Sequence, residues 1–329
     1  EISACLVGSE MCIRDRIQAV PITANAKTNN DTSKSIVTQN TVSDKTIKII
    51  DIQIEAKNGS DITAKVQQAL DVARDFAMDS VPYRIIIPKG TYTISSALEI
   101  YSNTQICAEG AHIIKQSFSG GMLRTAFPKG ENKLYGYSGY KNIKIVGGIW
   151  DGNAESQKYG EGKCKVFSSF RFAHATNITL ENLSITNNVG SHHLELGGID
   201  GATITGCTFE GYKDGGISGG KEAIQLDVMY SPEVFVGYPA FDDTPCINVK
   251  ISNNTFKNVN RGVGNHTAVN GVYFENVEVT NNIFENITQQ SILALNWKDC
   301  NISNNIMRNV GSGAVSYTHL RAHETGRNL

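Results

Sequence analysis

Carboxylate, histidine, arginine and tyrosine side chains recur at alternate positions of five short apolar segments. The segments are Ser169–Ala173, His193–Gly197, Ala223–Asp227, Gly271–Glu275 and Ile292–Asn296. Successive side chains of a β-strand point to opposite faces of its sheet. If the apolar residues face a core, the opposite face carries Arg171, His193, Glu195, Gln225, Asp227, Tyr273, Glu275 and Asn296. Because an ordinary solvent face favours Thr, Ser and Lys, this set indicates a functional surface.

Glu195 and Asp227 are the predicted catalytic pair. They lie one repeat and two residues apart, so strand spacings of about 4.8 and 6.6 Å put their Cα atoms roughly 8 Å from each other. Two carboxyl groups at such a distance suit a glycosidase, and the spacing leaves both the retaining and the inverting outcome open. One carboxyl would protonate the glycosidic oxygen while the other activates water or attacks carbon. Glu222 is a third catalytic candidate.

The predicted substrate-binding residues flank this pair in strands and loops. They are Arg171, His193, Gln225, Tyr273, His266 and Tyr238. Gln225 could orient a substrate hydroxyl, and either histidine could tune a carboxylate or bind sugar. Three long loops, 210–222, 228–246 and 260–270, would border a groove. Their aromatic side chains could stack on sugar rings or could anchor the loops, and both interpretations stay open.

A repeat positions these residues. It begins at Ile145, Leu180, Ile204, Ile251, Val279 and Ile302, with steps of 35, 24, 47, 28 and 23 residues. A short period with insertions of variable length is typical of a solenoid. Its segments alternate apolar and polar residues and are rich in β-branched side chains, so each coil is predicted to contain three short strands. Stacked coils then form three parallel sheets.

Asparagines mark one bend of each coil. Asn182, Asn253, Asn281 and Asn304 share this place with Gly147 and Gly206. Asparagine tolerates the left-handed backbone of a sharp bend, and its amide can hydrogen-bond to its counterpart one coil away. A predicted internal column of apolar residues follows these bend positions at a fixed offset. It contains Trp150, Ile185, Phe209, Phe256, Phe284 and Met307.

The segment before the repeats completes a resemblance. Helical spacing over Asp61–Ala77, with Asp61 as N-cap, precedes the strand segment Arg84–Ile94. Together with the repeats this resembles the right-handed parallel β-helix of the pectin-lyase-like superfamily. The resemblance implies an all-β solenoid with an N-terminal capping α-helix. The polygalacturonase signatures N-x-D, D-D, G-H-G and R-x-K are missing as a set, and Asp151 and Asp242-Asp243 are interpreted as turn and loop residues.

Both termini depart from the repeat. Residues 1–16 and 315–329 resemble translated adapter sequence and are interpreted as foreign, with C-terminal coils missing. Residues 17–45, which contain Ala24-x-Ala26, are interpreted as a signal-peptide remnant and polar linker. The β-helix domain then spans 46–314. We expect a secreted, extracellular protein that could self-associate through its uncapped end.

Composition limits the partners. The 329 residues carry a net charge of −2 and no basic stripe, so nucleic acid is excluded as a partner. No apolar run reaches the roughly 20 residues of a membrane span. The five cysteines outside the predicted foreign ends show neither a C-x-x-C pair nor metal-ligand spacing, and no metal is predicted. They are Cys107, Cys164, Cys207, Cys246 and Cys300.

Three functions remain open for the predicted groove. The first is a glycoside hydrolase acting on a polysaccharide or oligosaccharide without a cofactor. The second is a polysaccharide lyase or epimerase acting on uronates, with Arg171, His193 or Tyr273 as the base and Ca²⁺ held by Glu195 and Asp227. The third is a non-catalytic carbohydrate-binding adhesin.

Overall fold

The computed structural model describes residues 47–128, 133–157, 167–215, 220–238 and 240–317. The predicted signal-peptide remnant, the linker and the foreign segment 1–16 lie outside these residues. At the other end, strand pairing continues through Val315 and Tyr317, which align with Leu293 and Leu295 of the preceding coil. Residues 315–317 therefore continue the strand, whereas the sequence was expected to depart from the repeat at residue 315.

Parallel strands form three stacks, named A, B and C, which wind around a common core. Stack A contains β4 (Leu98–Ile100), β7 (Leu123–Thr125), the start of β10 (Phe170–Glu181), the start of β12 (Leu194–Thr205), β14 (Glu222–Asp227), β17 (Arg261–Gly264), the end of β20 (Ile283–Leu295) and the end of β23 (Ile306–Tyr317). Stack B contains β1 (Ile50–Gln53), β2 (Tyr83–Ile86), β5 (Thr104–Cys107), β8 (Lys141–Val146), the ends of β10 and β12, β15 (Ile247–Ser252), β19 (Val277–Thr280) and β22 (Asn301–Ser303). Stack C contains β3 (Gly90–Ile94), β6 (Ala111–Lys115), β9 (Ile149–Asp151), β11 (Ser184–Val189), β13 (Thr208–Lys213), β16 (Thr255–Lys257) and the starts of β20 and β23. Among the described residues, β18 (Phe274–Glu275) and β21 (Trp297–Lys298) pair separately.

The predicted repeat is confirmed residue by residue. All six of its starting residues, from Ile145 to Ile302, align in one column of stack B. The predicted apolar column aligns in stack C. Within it, the rings of Phe256 and Phe284 stack with centroids 4.7 Å apart, and Phe209 stacks on the other side of Phe256 at 5.1 Å. The fold is an all-β parallel β-helix.

Left-handed asparagines turn the corners, as predicted. Asn182, Asn253, Asn281 and Asn304 have φ between 53° and 59°. The buried amide ladder, however, belongs to the residue that follows. Asn254 donates to Asn282, and Asn282 to Asn305, each at 3.0 Å. These side chains point into the core, where a primary amide must be hydrogen-bonded, so the ladder forms one position after the predicted one.

One α-helix, α1 (Thr63–Phe76), precedes the coils. It starts one residue later than predicted, because the N-cap is Ile62 rather than Asp61. The Asp61 carboxylate still accepts hydrogen bonds from the Thr63 amide and hydroxyl, at 2.8 and 2.6 Å. Val66 and Leu70 of the predicted apolar face join the core, but Phe76 is exposed. Within the described ranges, no helix has the length and apolar character needed to cross a membrane.

Candidate functional site

The outer face of stack A carries one continuous column of polar residues. Glu99, Arg124, Arg171, Glu195 and Gln225 align in register, one from each successive strand. Their neighbours Phe170, Leu194 and Ile224 face the core and are fully buried. The predicted alternation of core-facing and outward-facing residues is therefore confirmed for Ser169–Ala173 and Ala223–Asp227. In the second segment, His193–Gly197, it is confirmed from Leu194 onward.

The prediction that Gly271–Glu275 forms the fourth strand of this face is wrong. Val263 of β17, not Val272, aligns with Ile224 in stack A. The prediction placed a loop, 260–270, before this strand, whereas β17 itself lies within that range and the inserted residues follow it. Tyr273 consequently lies outside stack A, and Glu275 pairs with Lys298 at 3.0 Å instead.

The fifth segment is shifted by one residue. Ile292 aligns with Val263 and faces the core, and Leu293 follows Gly264 on the outer column. A shift of one residue exchanges the two faces of a strand. Asn296 adopts the left-handed conformation after the strand and donates to the carbonyl oxygen of Val269 at 3.1 Å.

His193 is buried and does not join the outer column. It precedes the first residue of β12, so strand alternation does not apply to it. Its ring packs edge-on against Phe209 at 6.3 Å, and its Nε2 donates to the carbonyl oxygen of Gly211 at 3.0 Å. Burial lowers the pKa of His193 to about 4. The histidine near the carboxylates is its neighbour, His192.

Arg171 and Glu195 form a short ion pair. The Arg171 Nε atom donates to Oε2 of Glu195 at 2.6 Å. Burial acts to raise the pKa of Glu195, but the Arg171 guanidinium and the neighbouring His192 outweigh it and hold that pKa below its usual value. Glu195 is therefore ionised at neutral pH.

Asp227 has the opposite character. It aligns with Gly197, which places it one strand and two residues from Glu195, as predicted. Burial, reinforced by the negative charge of Glu195, raises the pKa of Asp227 well above its ordinary value. Gln225 lies between the two and donates from Nε2 to Asp227 at 2.7 Å. Its Oε1 atom is buried without a hydrogen-bond partner among the described residues.

Glu222 is fully buried at the centre of a second cluster. Arg261 donates to its Oε1 at 3.0 Å, and His266 donates to its Oε2 at 2.9 Å. Burial acts to raise the pKa of Glu222, but His266, His192 and Arg261 together lower it to about 2. Glu222 is thus a fixed anion at the centre of this cluster. The three residues His192, Glu222 and His266 are close enough to hold a metal ion.

Sequence reasoning placed His266 at this site but missed His192 and Arg261. Arg261 begins β17, the strand that the prediction assigned to a loop. His192 is adjacent in sequence to His193, which was predicted to bind substrate. An arginine opening a Gly-rich apolar stretch, as in "RGVG", is the signal that could have revealed the strand.

The loop 228–246 folds down onto stack A. Phe235 and Tyr238 pack with Met229 and Ala173 in a small buried cluster. The Tyr238 hydroxyl donates to the carbonyl oxygen of Thr125 at 2.6 Å. The prediction that Tyr238 binds substrate therefore does not fit this structure, since its ring is buried and anchors the loop.

Contacts to the site hold this loop in place. The Phe235 ring lies 4.4 Å from the Arg171 guanidinium, and Arg171 Nη1 donates to the carbonyl oxygen of Val236 at 2.9 Å. A Cβ atom added at Gly197 would lie 2.5 Å from the sulfur of Met229, so glycine is needed for this close approach. The loop consequently covers the carboxylate pair, leaving Glu195 5% and Asp227 2% exposed.

Other candidate residues have structural roles. Asp242 accepts hydrogen bonds from the Gly136 amide at 2.7 Å and the Thr244 hydroxyl at 2.6 Å, which ties two loops together. Asp151 accepts from the Asn153 amide at 2.7 Å, as expected of a turn residue. Of the described cysteines, Cys107, Cys207, Cys246 and Cys300 are free thiols, and Cys164 lies outside the described residues.

Comparison with solved structures identifies the fold. A crystal structure of PfbA, a surface adhesin of Streptococcus pneumoniae, superimposes with a TM-score of 0.64 at 19% identity, covering 76% of this chain and 63% of the adhesin. The chain therefore has a parallel β-helix fold. It spans less than two thirds of the adhesin's length.

More distant similarities involve enzymes. A Family 28 exopolygalacturonase of Yersinia enterocolitica matches at 12% identity with a TM-score of 0.43, over 80% of this chain and 65% of the enzyme. The A-module of the mannuronan C-5 epimerase AlgE6 of Azotobacter vinelandii matches at 13% identity with a TM-score of 0.38, over 80% and 72% of the two chains. No protein-family model matches the sequence, and neither does any curated protein. The similarity to the adhesin structure establishes the fold and leaves the activity to be argued from the site.

Proposed function

We propose that this β-helix protein is a secreted glycoside hydrolase that cleaves a polysaccharide or oligosaccharide with Glu195 and Asp227. One observation carries the proposal: two buried carboxyl groups lie on adjacent strands, and Arg171 donates to one of them, Glu195, at 2.6 Å. The pKa of Glu195 is accordingly lowered, whereas burial raises the pKa of Asp227. Two titratable groups with separated pKa values mark an acid and a base. A buried structural ion pair alone would not require the second, protonated carboxyl beside it.

The roles follow from the protonation states. Protonated Asp227 donates its proton to the glycosidic oxygen as the bond to the anomeric carbon breaks. Ionised Glu195 either attacks that carbon or removes a proton from the attacking water. Arg171 is a positioning residue, because its 2.6 Å bond holds Glu195 ionised and in place.

Gln225 gives the site a point of contact for substrate. Its Nε2 atom is committed to Asp227, while its Oε1 atom has no partner among the described residues. A sugar hydroxyl donating to Oε1 would satisfy a buried acceptor that otherwise costs about 1–3 kcal/mol. The bond from Nε2 would then couple substrate position to the orientation of the acid.

Access to this pair requires movement of the loop 228–246. The segment around Phe235 and Val236 must leave the Arg171 guanidinium before a sugar can reach Glu195. Substrate binding and loop displacement are therefore coupled in this proposal.

The test is a panel of neutral and uronate polysaccharides, read for new reducing ends and for unsaturated-uronate absorbance. We expect reducing ends without the absorbance, lost in Glu195→Gln and in Asp227→Asn. Glu99→Gln is the matched control, because Glu99 pairs with Arg124 at 2.7 Å in the same outer column but lies away from Asp227. Equal activity in all three variants would refute the proposal.

A non-catalytic carbohydrate-binding protein is the second candidate, and the burial of the pair favours it. One solved structure with a similar fold is that of PfbA, a surface adhesin. On this alternative, the exposed side chains of the covering loop, Tyr230 and Val236, contact the ligand. Binding that survives Glu195→Gln without any product formation would support it.

A lyase or epimerase receives less support from the geometry. Of the three bases that this alternative required, Tyr273 lies outside stack A and His193 faces the core. The third, Arg171, is paired with Glu195. Absorbance rising together with reducing ends in the panel would nevertheless favour a lyase.

A further inference from the structure

The cluster around Glu222 combines two imidazoles and one carboxylate. One ligand atom each from His192, Glu222 and His266 lies within 4.8 Å of the others. The two rings are nearly parallel, with centroids 5.6 Å apart and an interplanar angle of 19°. We propose that this cluster binds a divalent transition-metal ion of the Zn²⁺ class, independently of the hydrolase activity.

Surrounding contacts orient the donors as the outer partners of metal ligands do. His192 Nδ1 donates to the carbonyl oxygen of Glu222 at 2.7 Å, which leaves Nε2 of that ring as the lone-pair nitrogen. Arg261 holds Oε1 of Glu222 and is itself fixed by Gln289 at 2.8 Å. Oε2 of Glu222 is therefore the oxygen available to a metal.

The third ligand can complete the site by a small movement. Tetrahedral zinc, with bonds of about 2.0–2.2 Å, needs its ligand atoms roughly 3.4 Å apart. The distance of 2.9 Å between His266 Nδ1 and Glu222 Oε2 must therefore widen by about 0.5 Å. The widest separation in the cluster, at most 4.8 Å, must shrink by up to about 1.4 Å. His266 follows the end of β17 and its side chain is 36% exposed, whereas Glu222 is wholly buried. His266 can thus rotate away from its hydrogen bond to Glu222 and bind an ion held by the other two through the ring nitrogen that carries no proton.

The donor set selects the metal. Two imidazoles with one carboxylate suit zinc, and calcium prefers six to eight oxygen ligands. Three protein ligands leave a fourth position, and the exposed side of His266 faces solvent. The site would therefore be open to an external ligand beside the Arg171–Glu195 pair.

Titration of the chelator-treated full chain with Zn²⁺, followed by calorimetry and metal analysis, tests the proposal. We expect one ion per chain, with affinity reduced more than about 100-fold in His266→Ala, because even removal of an outer partner costs about 10- to 100-fold. Glu222→Gln should reduce it as strongly. His112→Ala is the matched control, since His112 contacts the carboxylate of Asp151 at 3.3 Å elsewhere on the solenoid and should leave binding unchanged.

Three results would overturn the assignment. These are the absence of Zn²⁺ binding, equal affinity in wild type and His266→Ala, or Ca²⁺ bound as tightly as Zn²⁺. Because His266 is partly exposed, its alanine variant should fold even if Glu222→Gln does not. A failure to bind Zn²⁺ would leave the hydrolysis test unaffected, since that test measures product and not metal.

Discussion

Replacing Arg171 with methionine should destabilise the protein strongly, because the change leaves Glu195 as an unpaired buried charge. The side chains of this pair are only 15% and 7% exposed. Removing one partner of a buried ion pair costs about 3–5 kcal/mol, most of it the desolvation of the remaining charge. Arg171→Met also removes the hydrogen bond to Val236 and the contact with Phe235 that fix the covering loop.

The matched control is Arg84→Met. Arg84 donates two hydrogen bonds to Asp51, at 2.9 and 2.8 Å, but these side chains are 38% and 39% exposed. An exposed pair of this kind contributes about 0.2–1 kcal/mol. The two arginine variants thus differ in the burial of the carboxylate that they leave behind and in the loop contacts that Arg171 makes.

Urea denaturation of both variants, analysed at a common slope, measures the difference. The double variant Arg171→Met/Glu195→Met should recover at least about 2 kcal/mol of the single variant's loss, since it removes the stranded charge. If Arg171→Met costs no more than Arg84→Met, the site is solvated and the account of a desolvated pair is refuted.

The stability that is lost in Arg171→Met should also depend on pH. Since the pKa of Glu195 is lowered in the folded protein, its contribution to stability is present above its unfolded pKa and is lost as the pH falls. The stability difference between wild type and Arg171→Met should therefore shrink below about pH 4.3, the ordinary pKa of glutamate. A difference that grows on acidification would contradict the assignment.

Three further variants test the fold and the loop. Phe256→Ala empties a fully buried place in the ring stack and should cost about 3–5 kcal/mol in urea; a loss below about 1 kcal/mol would mean that the stack does not form. Asn281→Ala should cost about 1–2 kcal/mol more than Asn281→Gly in the same assay, because this residue has φ 58°, and equal losses would argue against the left-handed corner. Gly197→Ala should displace Phe235, whose ring lies 2.6 Å from the added Cβ, and should speed proteolysis of the loop, whereas Gly313→Ala, with its nearest atom at 3.5 Å, should not. Equal cleavage rates in the two glycine variants would show that the loop does not rest on Gly197.

The repeat could be predicted from sequence because the same residue pattern occurs in several coils. The apolar column around Phe256 and the corner position of Asn253 recur at a constant offset in several coils, so one irregular coil does not obscure the pattern. Outer residues in coils of regular length, such as Glu195, followed directly from strand alternation. These predictions needed only local periodicity.

Predictions that depended on insertions were less secure. The segment around Tyr273 resembles a strand as strongly as "RGVG" does, and only pairing with Glu222–Gln225 selects the latter. Strand pairing is a tertiary interaction, and local propensity does not specify it. Contacts between distant segments also bury Tyr238 in a small core and pair Arg261 with Glu222.

The most direct test of the central claim is a carboxyl-carbon NMR titration of Glu195 and Asp227, with signals assigned by their loss in Glu195→Gln and Asp227→Asn. We expect Asp227 to lose its proton well above the ordinary pKa of an aspartate, and Glu195 to lose its proton below the ordinary pKa of a glutamate. Ionisation of Asp227 at or below its ordinary value of 3.8 would contradict the division into acid and base on which the proposed hydrolysis rests.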